Sequence, residues 1–354
     1  MNDLPGVSLP DEQMRTAAMA RQLRLTKPAG ALGRLEELSG WASAVQGKCP
    51  PSRFQQATVV IFAGDHGIAT TARTSAYPSE VTAQMVRNFV AGGAAVNVLA
   101  RQADARVRVV DVSVDAEPGY LEAIAPEVAS NRIRRSSGSI DREDALTLVE
   151  AQAAFDLGRR IADEEIDSGA DLLIPGDMGI GNTTPASTLT GLLANLDASK
   201  VTGVGTGIDD QTWMRKCAAV RDAMHRGRPE LGNPIALLAA VGGADFAAMT
   251  GFLVQAAIRK TPVILDGTIS GACALVADRI DFRAKHWWLA GHRSSEPAHT
   301  AALDHLGLEP VIDYALRLGE GTGALLALPV VQAAICLLAE MATFDEAGVS
   351  EQDA

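Results

Sequence analysis

Thr58-Val59-Val60-Ile61-Phe62-Ala63-Gly64-Asp65-His66-Gly67 is a β-branched and aromatic run that ends in an acid and a histidine between glycines. A short apolar run bounded by turn residues reads as a strand buried on both faces. Five further runs read the same way: 107–112, 171–174, 235–241, 262–265 and 286–290. Helical stretches separate them, at about 79–100, 143–168, 209–226, 245–259, 270–280 and 297–306. This alternation predicts an α/β fold, a parallel six-stranded sheet with helices on both faces. The strand exits carry more information than the strands. After Gly64-Asp65-His66-Gly67 come Gly176-Asp177-Met178-Gly179, Gly242-Gly243-Ala244-Asp245, Asp266-Gly267-Thr268 and Gly291-His292-Arg293-Ser294-Ser295-Glu296. Ligands of open parallel sheets bind beyond the carboxyl ends of the strands, so these polar, glycine-bearing turns are expected to line one cleft.

Outside this alternation the pattern changes. Residues 1–10 hold two prolines and read as an arm, followed by helices over 11–25 and 31–46 that Pro50-Pro51 closes. Two helices with no strand between them suggest the start of a small helical subdomain. Near the other end, Arg317-Leu318-Gly319-Glu320-Gly321-Thr322-Gly323-Ala324 joins the apolar segment 311–316 to a helical run ending at Glu340. Glycine on both sides of Glu320 permits positive φ or close approach to a ligand. The carboxylate then stands at a helix start, where the dipole favours its ionised form. Such a group suits a general base; the plainer reading is a helix cap.

The bulk numbers narrow the class. A chain of 354 residues exceeds the usual single core, which predicts one large domain and a smaller one. Hydrophobic residues make up 47% and aromatics only 4%, as in a closely packed soluble enzyme. The formal charge of −12 argues against a nucleic-acid partner, which needs a basic face. Cys49, Cys217, Cys273 and Cys336 have no paired spacing, so neither zinc nor a disulfide framework is expected and a cytoplasmic location fits. The N-terminal residues lack a basic segment followed by an apolar one, and no run reaches the ~20 apolar residues of a membrane span.

Two glycine-rich loops suggest a phosphate. Gly176 to Pro185 leads from a strand into a helix, whose free amides can hold an anion. Gly203-Val204-Gly205-Thr206-Gly207 precedes a helix that carries Lys216. Neither loop has the spacing of a Walker or dinucleotide motif, so a mononucleotide is the economical expectation. His292, Glu296 and His299 would share a helix face as metal ligands, but Pro297 disfavours helix at Glu296, so no metal is expected. His66 is read as an acid/base residue or as a buried structural hydrogen bond.

Taken in order, these motifs resemble the nicotinate-nucleotide–dimethylbenzimidazole phosphoribosyltransferase family over about residues 24–340. The resemblance rests on Leu25-Thr26-Lys27-Pro28, Leu32-Gly33-Arg34-Leu35-Glu36, Gly64-Asp65-His66-Gly67 and Tyr77-Pro78-Ser79-Glu80-Val81-Thr82. It continues through Gly179-Ile180-Gly181-Asn182-Thr183-Thr184, Gly205-Thr206-Gly207 and Arg317-Leu318-Gly319-Glu320-Gly321. It implies a Rossmann-like large domain (57–308) and a small helical domain built from both chain ends (1–56 and 309–354), in a cytoplasmic homodimer without cofactor. The implied reaction moves the phosphoribosyl group of nicotinate mononucleotide to 5,6-dimethylbenzimidazole, giving α-ribazole 5′-phosphate and nicotinate. By motif position Glu320 is the catalytic base. Asp177, Met178, Gly179, Gly205, Thr206, Lys216, Ser294 and Gly319 fall at nucleotide-binding positions, and Tyr77, Met85 and Leu318 at the acceptor-base pocket. Three motifs depart from the family: Asp177 stands for a usual Glu, Asp245-Phe246 for Glu-Ile, and Ala298 for a glycine. Rival readings are a phosphoribosyltransferase with a phenol or adenine acceptor, and a non-catalytic nucleotide- or base-binding protein.

Overall fold

The computed structural model describes residues 4–350, so the first three residues of the N-terminal arm lie outside the described part. Six strands form one parallel sheet: β1 (Ala57–Gly64), β2 (Arg106–Ser113), β3 (Leu172–Met178), β4 (Val263–Leu265), β5 (Trp288–His292) and β6 (Pro310–Ile312). Their spatial order is β2-β1-β3-β4-β5-β6. The chain crosses from β1 to β2 on one side and then returns to β3 on the other. The switch point therefore lies between β1 and β3, where a ligand crevice is expected at the carboxyl ends. Every residue of β1 is buried, as the uniform apolar run requires of a strand covered on both faces.

Four expectations need correction. Residues 235–241 form no strand: Pro234–Val241 is a helix, with Pro234 in its first turn and the Asn233 side chain accepting from Ala236 N at 3.3 Å. All eight of its residues are buried, so no polar face marked the helical period. The sixth strand is instead Pro310–Ile312, which pairs with β5 and carries the sheet past the boundary expected at residue 308. Three residues are too few to show alternation. β5 begins two residues later than read, because Ala284–Trp287 is a 3₁₀ turn. The helix expected over 79–100 is two, Glu80–Val90 and Ala95–Gln102, parted at Gly92, whose φ is +77°.

The chain ends are tied to each other. Helices Glu12–Gln22 and Arg34–Gln46 pack together, and the second packs against the long helix Thr322–Glu340. Arg21 Nε donates to Leu338 O at 2.8 Å, while Gln332 exchanges hydrogen bonds with the Phe54 backbone. Helix Thr322–Glu340 is 19 residues long and apolar, but it serves as a core helix against β5, with Leu325, Leu328, Val331 and Ile335 buried. Its N-terminus thereby points from the sheet edge into the crevice region.

Candidate active site

The loop before that helix is the most constrained turn of the edge. Gly319, Glu320 and Gly321 have φ of +82°, +65° and +89° in succession. Glycine adopts this region at no steric cost, whereas Glu320 does so against preference and must be held there by its surroundings. Asp266, at the exit of β4, supplies the hold. Its Oδ2 accepts from Gly321 N at 3.1 Å, and its Oδ1 from Gly323 N at 2.7 Å and Ala324 N at 3.0 Å. Asp266 thus satisfies the free amides of the helix start from outside the helix. Glu320 makes no cap bond there, which removes the capping reading of this residue.

Glu320 is 4% exposed, and its Oε2 is buried without a hydrogen-bond partner. Burial pushes its carboxyl up to about 7, opposed by a backbone hydrogen bond from Val96 and reinforced by the charge of Asp266. The expectation that the helix dipole keeps it ionised is therefore overturned. The dipole acts on an end already occupied by Asp266, and desolvation of a buried carboxylate outweighs it. Beside it, Asp177 ends β3. Asn182 Nδ2 donates to Asp177 Oδ2 at 2.9 Å while Oδ1 has no partner. Burial, with Asp266, Glu320 and Asp245 nearby, holds the Asp177 carboxyl well above its usual range. Gly176 lets these two segments touch: a Cβ there would lie 2.6 Å from Glu320 O.

A second group of residues meets around Lys216, which is fully buried on helix Asp210–Gly227. Its Nζ donates to Thr183 Oγ1 at 2.9 Å and Gly203 O at 3.2 Å. An ammonium has three N–H donors, so one remains for a ligand. Burial lowers its pKa to about 8, with Glu296 opposing. Glu296 Oε1 accepts from Gly205 N at 2.8 Å, and Arg317 Nη1 donates to Gly205 O. Gly203 leaves room for the Glu296 carboxylate, which a Cβ would meet. Ser294 N donates to His299 Nδ1 at 2.9 Å, so neutral His299 carries its proton on Nε2, which has no partner. Burial holds His299 down to about 3.

These contacts bring Asp177, Gly319 and Glu320 together and tie Lys216 to the loop that carries Gly205. Gly319 lies against Asp177, Arg317 binds the Gly205 loop, and Thr206 Oγ1 accepts from Ala76 N at 3.0 Å, next to Tyr77. Met178 and Gly179 follow Asp177 at the end of β3. Met85 is half-buried on helix Glu80–Val90. Tyr77 and Leu318 are over half exposed, at 55% and 56%, and form a rim. Of the residues weighed as metal ligands, His292 in β5 and His299 lie with ring centroids 5.6 Å apart, while Glu296 precedes helix Pro297–Leu306 and turns to Gly205. His66 is a structural residue, with Nε2 3.1 Å from Asp245 Oδ2 and Nδ1 3.2 Å from Ser137 Oγ. Its partner is Asp245, not the neighbouring Asp65.

Residues 7–349 match a phosphoribosyltransferase family. Relatives named nicotinate-nucleotide–dimethylbenzimidazole phosphoribosyltransferase are 57% identical in Mycobacterium marinum and 56% in Mycobacterium tuberculosis, each over 97% of this chain and 94% of the relative. This chain belongs to that phosphoribosyltransferase family. A crystal structure of the Thermus thermophilus member superposes with a TM-score of 0.88 at 40% identity, covering 97% of this chain and all of that one. Within this phosphoribosyltransferase, sequence reasoning passed over three residues that build the site. Asp266 and Glu296 stood in the quoted strand exits, and Arg317 in the glutamate loop. Their roles lie in which backbone amide or carbonyl each reaches across the fold. The signal available was a carboxylate at a strand exit with glycine-rich loops elsewhere to receive it.

Proposed function

We propose that this chain transfers the phosphoribosyl group of nicotinate mononucleotide to 5,6-dimethylbenzimidazole, with Glu320 as general base, giving α-ribazole 5′-phosphate and nicotinate. The observation that carries the reading is the Glu320 carboxyl itself: buried, free of capping duty and pushed up to about 7. Nicotinate leaves the ribosyl C1′ as a neutral pyridine ring from a cationic one, so its departure requires no proton. The attacking imidazole nitrogen adds to C1′ with its lone pair, and the other ring nitrogen gives up its proton. A carboxylate poised near neutral pH is suited to take that proton. Attack opposite the departing β-linked ring gives the α product, so the two aromatic rings sit on opposite faces of the ribose.

The remaining roles follow the chemistry of the donors. The third N–H of Lys216 and the Thr206 amide, next to Gly205, suit the 5′-phosphate, with Ser294 and Gly179 beside it and Asp177, Met178 and Gly319 against the nucleotide's ribose side. Tyr77, Met85 and Leu318 offer apolar surface to the acceptor ring. Four unpaired thiols are compatible with a cytoplasmic protein, and the exposed rim of Tyr77 and Leu318 with a homodimer. Mass spectrometry of products from nicotinate mononucleotide with benzimidazoles, purines and phenols tests the reading. A product at the mass of α-ribazole 5′-phosphate is expected; release of nicotinate only with phenols or adenine would replace the acceptor.

A further inference from the structure

Asp65 and Thr82 are buried at the switch point between β1 and β3 and carry none of the roles above. Asp65 Oδ1 accepts from Thr82 Oγ1 at 2.6 Å, and its Oδ2 accepts from Asp115 N at 2.8 Å. The same Thr82 oxygen accepts from Ile180 N at 3.0 Å. A hydroxyl has one proton and two lone pairs. Here the proton goes to a carboxylate and a lone pair to an amide, so neither an apolar nor an acceptor-only side chain can substitute. The bond to Asp65 is short and charge-assisted, in a buried setting where such bonds are strong.

Three segments meet at this one oxygen: the exit of β1, helix Glu80–Val90 and the loop from β3 to helix Thr183–Leu193. The loop has a second hold, through Asn182 to Asp177. The helix has no side-chain cap at Ser79, and Thr82 in its first turn ties its start to Asp65 and Ile180. Met85 follows one turn later, and Tyr77 precedes the helix. Losing the Thr82 hydroxyl therefore frees the helix more than the loop.

We propose that the Asp65–Thr82–Ile180 chain is a clamp that sets the acceptor side of the cleft against the nucleotide side. Thr82 is a positioning residue that acts on acceptor affinity through Met85 and Tyr77 and touches neither substrate. This rests on the assignment of Tyr77 and Met85 to the acceptor pocket given above. Steady-state kinetics with each substrate varied, together with thermal melting, on the full chain and its Thr82→Val, Thr82→Ala, Thr82→Ser, Tyr77→Ala and Met85→Ala variants test it. Thr82→Val should raise the KM for dimethylbenzimidazole about ten-fold or more, the size of a lost charged hydrogen bond. The KM for nicotinate mononucleotide should stay within about three-fold, because the loop keeps its second hold. Thr82→Ser should keep the parent values, because it keeps the hydroxyl that donates to Asp65 and accepts from Ile180. A lower melting temperature in Thr82→Val with an unchanged acceptor KM would reduce the clamp to ordinary support. If Thr82→Val does not fold, Thr82→Ala decides: a folded variant with the parent acceptor KM overturns the clamp. Parent acceptor KM values in both Tyr77→Ala and Met85→Ala would instead overturn the pocket assignment, separately from the clamp.

Discussion

Glu320→Gln separates a general base from a structural carboxylate by moving activity and stability in opposite directions. The amide keeps the size of the side chain and can still accept the Val96 backbone hydrogen bond, but it can no longer take a proton. General-base catalysis contributes ~10²–10⁴-fold, so turnover should fall by that order while both substrates still bind. Stability should rise. The fold raises the Glu320 carboxyl from its ordinary 4.5 to about 7, so it favours the protonated form. Stability from this group is complete below about pH 4.5 and is lost as pH rises through about 7. At 4% exposure the shift is worth about 3 kcal/mol above pH 7, a cost the amide avoids. For a chain of this length that is about 4 °C in melting temperature. Paired melts at pH 5 and pH 8 with kinetics on the same preparation are the assay. The variant should melt higher than the parent at pH 8, and the gap should close near pH 5. A helix cap would do the reverse, losing about 1 kcal/mol with turnover untouched. A folded Glu320→Gln enzyme within a few-fold of parent turnover would refute the assignment, and the search for the base would move to Asp177.

The same carboxyl predicts the pH profile of the parent enzyme: kcat should rise with pH through an apparent pKa near 7, because the base must be ionised to act, and a flat profile from pH 5 to 8 would contradict it. Lys216→Met should raise the dissociation constant for nicotinate mononucleotide by about ten-fold or more, measured by titration, with acceptor affinity nearly unchanged. In the parent, nucleotide affinity should weaken as pH rises through about 8, where Lys216 loses its charge. Asp266→Asn should lower kcat by loosening the 319–321 turn, and should shift the acid limb to lower pH by removing a negative charge from beside Glu320. A reduced kcat with an unshifted limb would leave Asp266 a purely structural anchor.

Residues that act locally were legible in the sequence, and those that act across the fold were not. Glycines around Glu320 announced a special backbone, and φ of +82°, +65° and +89° are what they permit. Pro297 placed the start of helix Pro297–Leu306 correctly, since proline restricts the residue before it wherever the chain goes. The run 235–241 failed because a fully buried helix and a fully buried strand present the same apolar sequence. Asn233-Pro234 was the cue that distinguishes them, a capping residue followed by proline in the first turn. Asp266 stood in plain view at a strand exit, but its partners are 55 to 58 residues away, at a helix start brought over it by the sheet. The Glu320 pKa was misjudged for a related reason. A dipole can be inferred from a helix start alone, whereas desolvation depends on everything packed around it.

Asp65, Asp177, Asp266 and Glu320 are all buried along one sheet edge, and burial raises the pKa of each. A fold selected for stability alone would not assemble them, because each unneutralised carboxylate costs more than its packing returns. Two of the four have both oxygens satisfied by donors from the chain itself: Asp266 by three backbone amides, and Asp65 by Thr82 and Asp115. Asp177 and Glu320 each keep a buried oxygen with no partner, and they lie on adjoining segments. Under the proposed function Asp177 and Glu320 stand toward the ribosyl carbon, and Asp266 fixes the backbone turn that carries Glu320. On that proposal positive charge at C1′ grows as nicotinate leaves, and a carboxylate ionised beside it would gain most in the transition state, where stabilisation raises the rate and not merely the affinity.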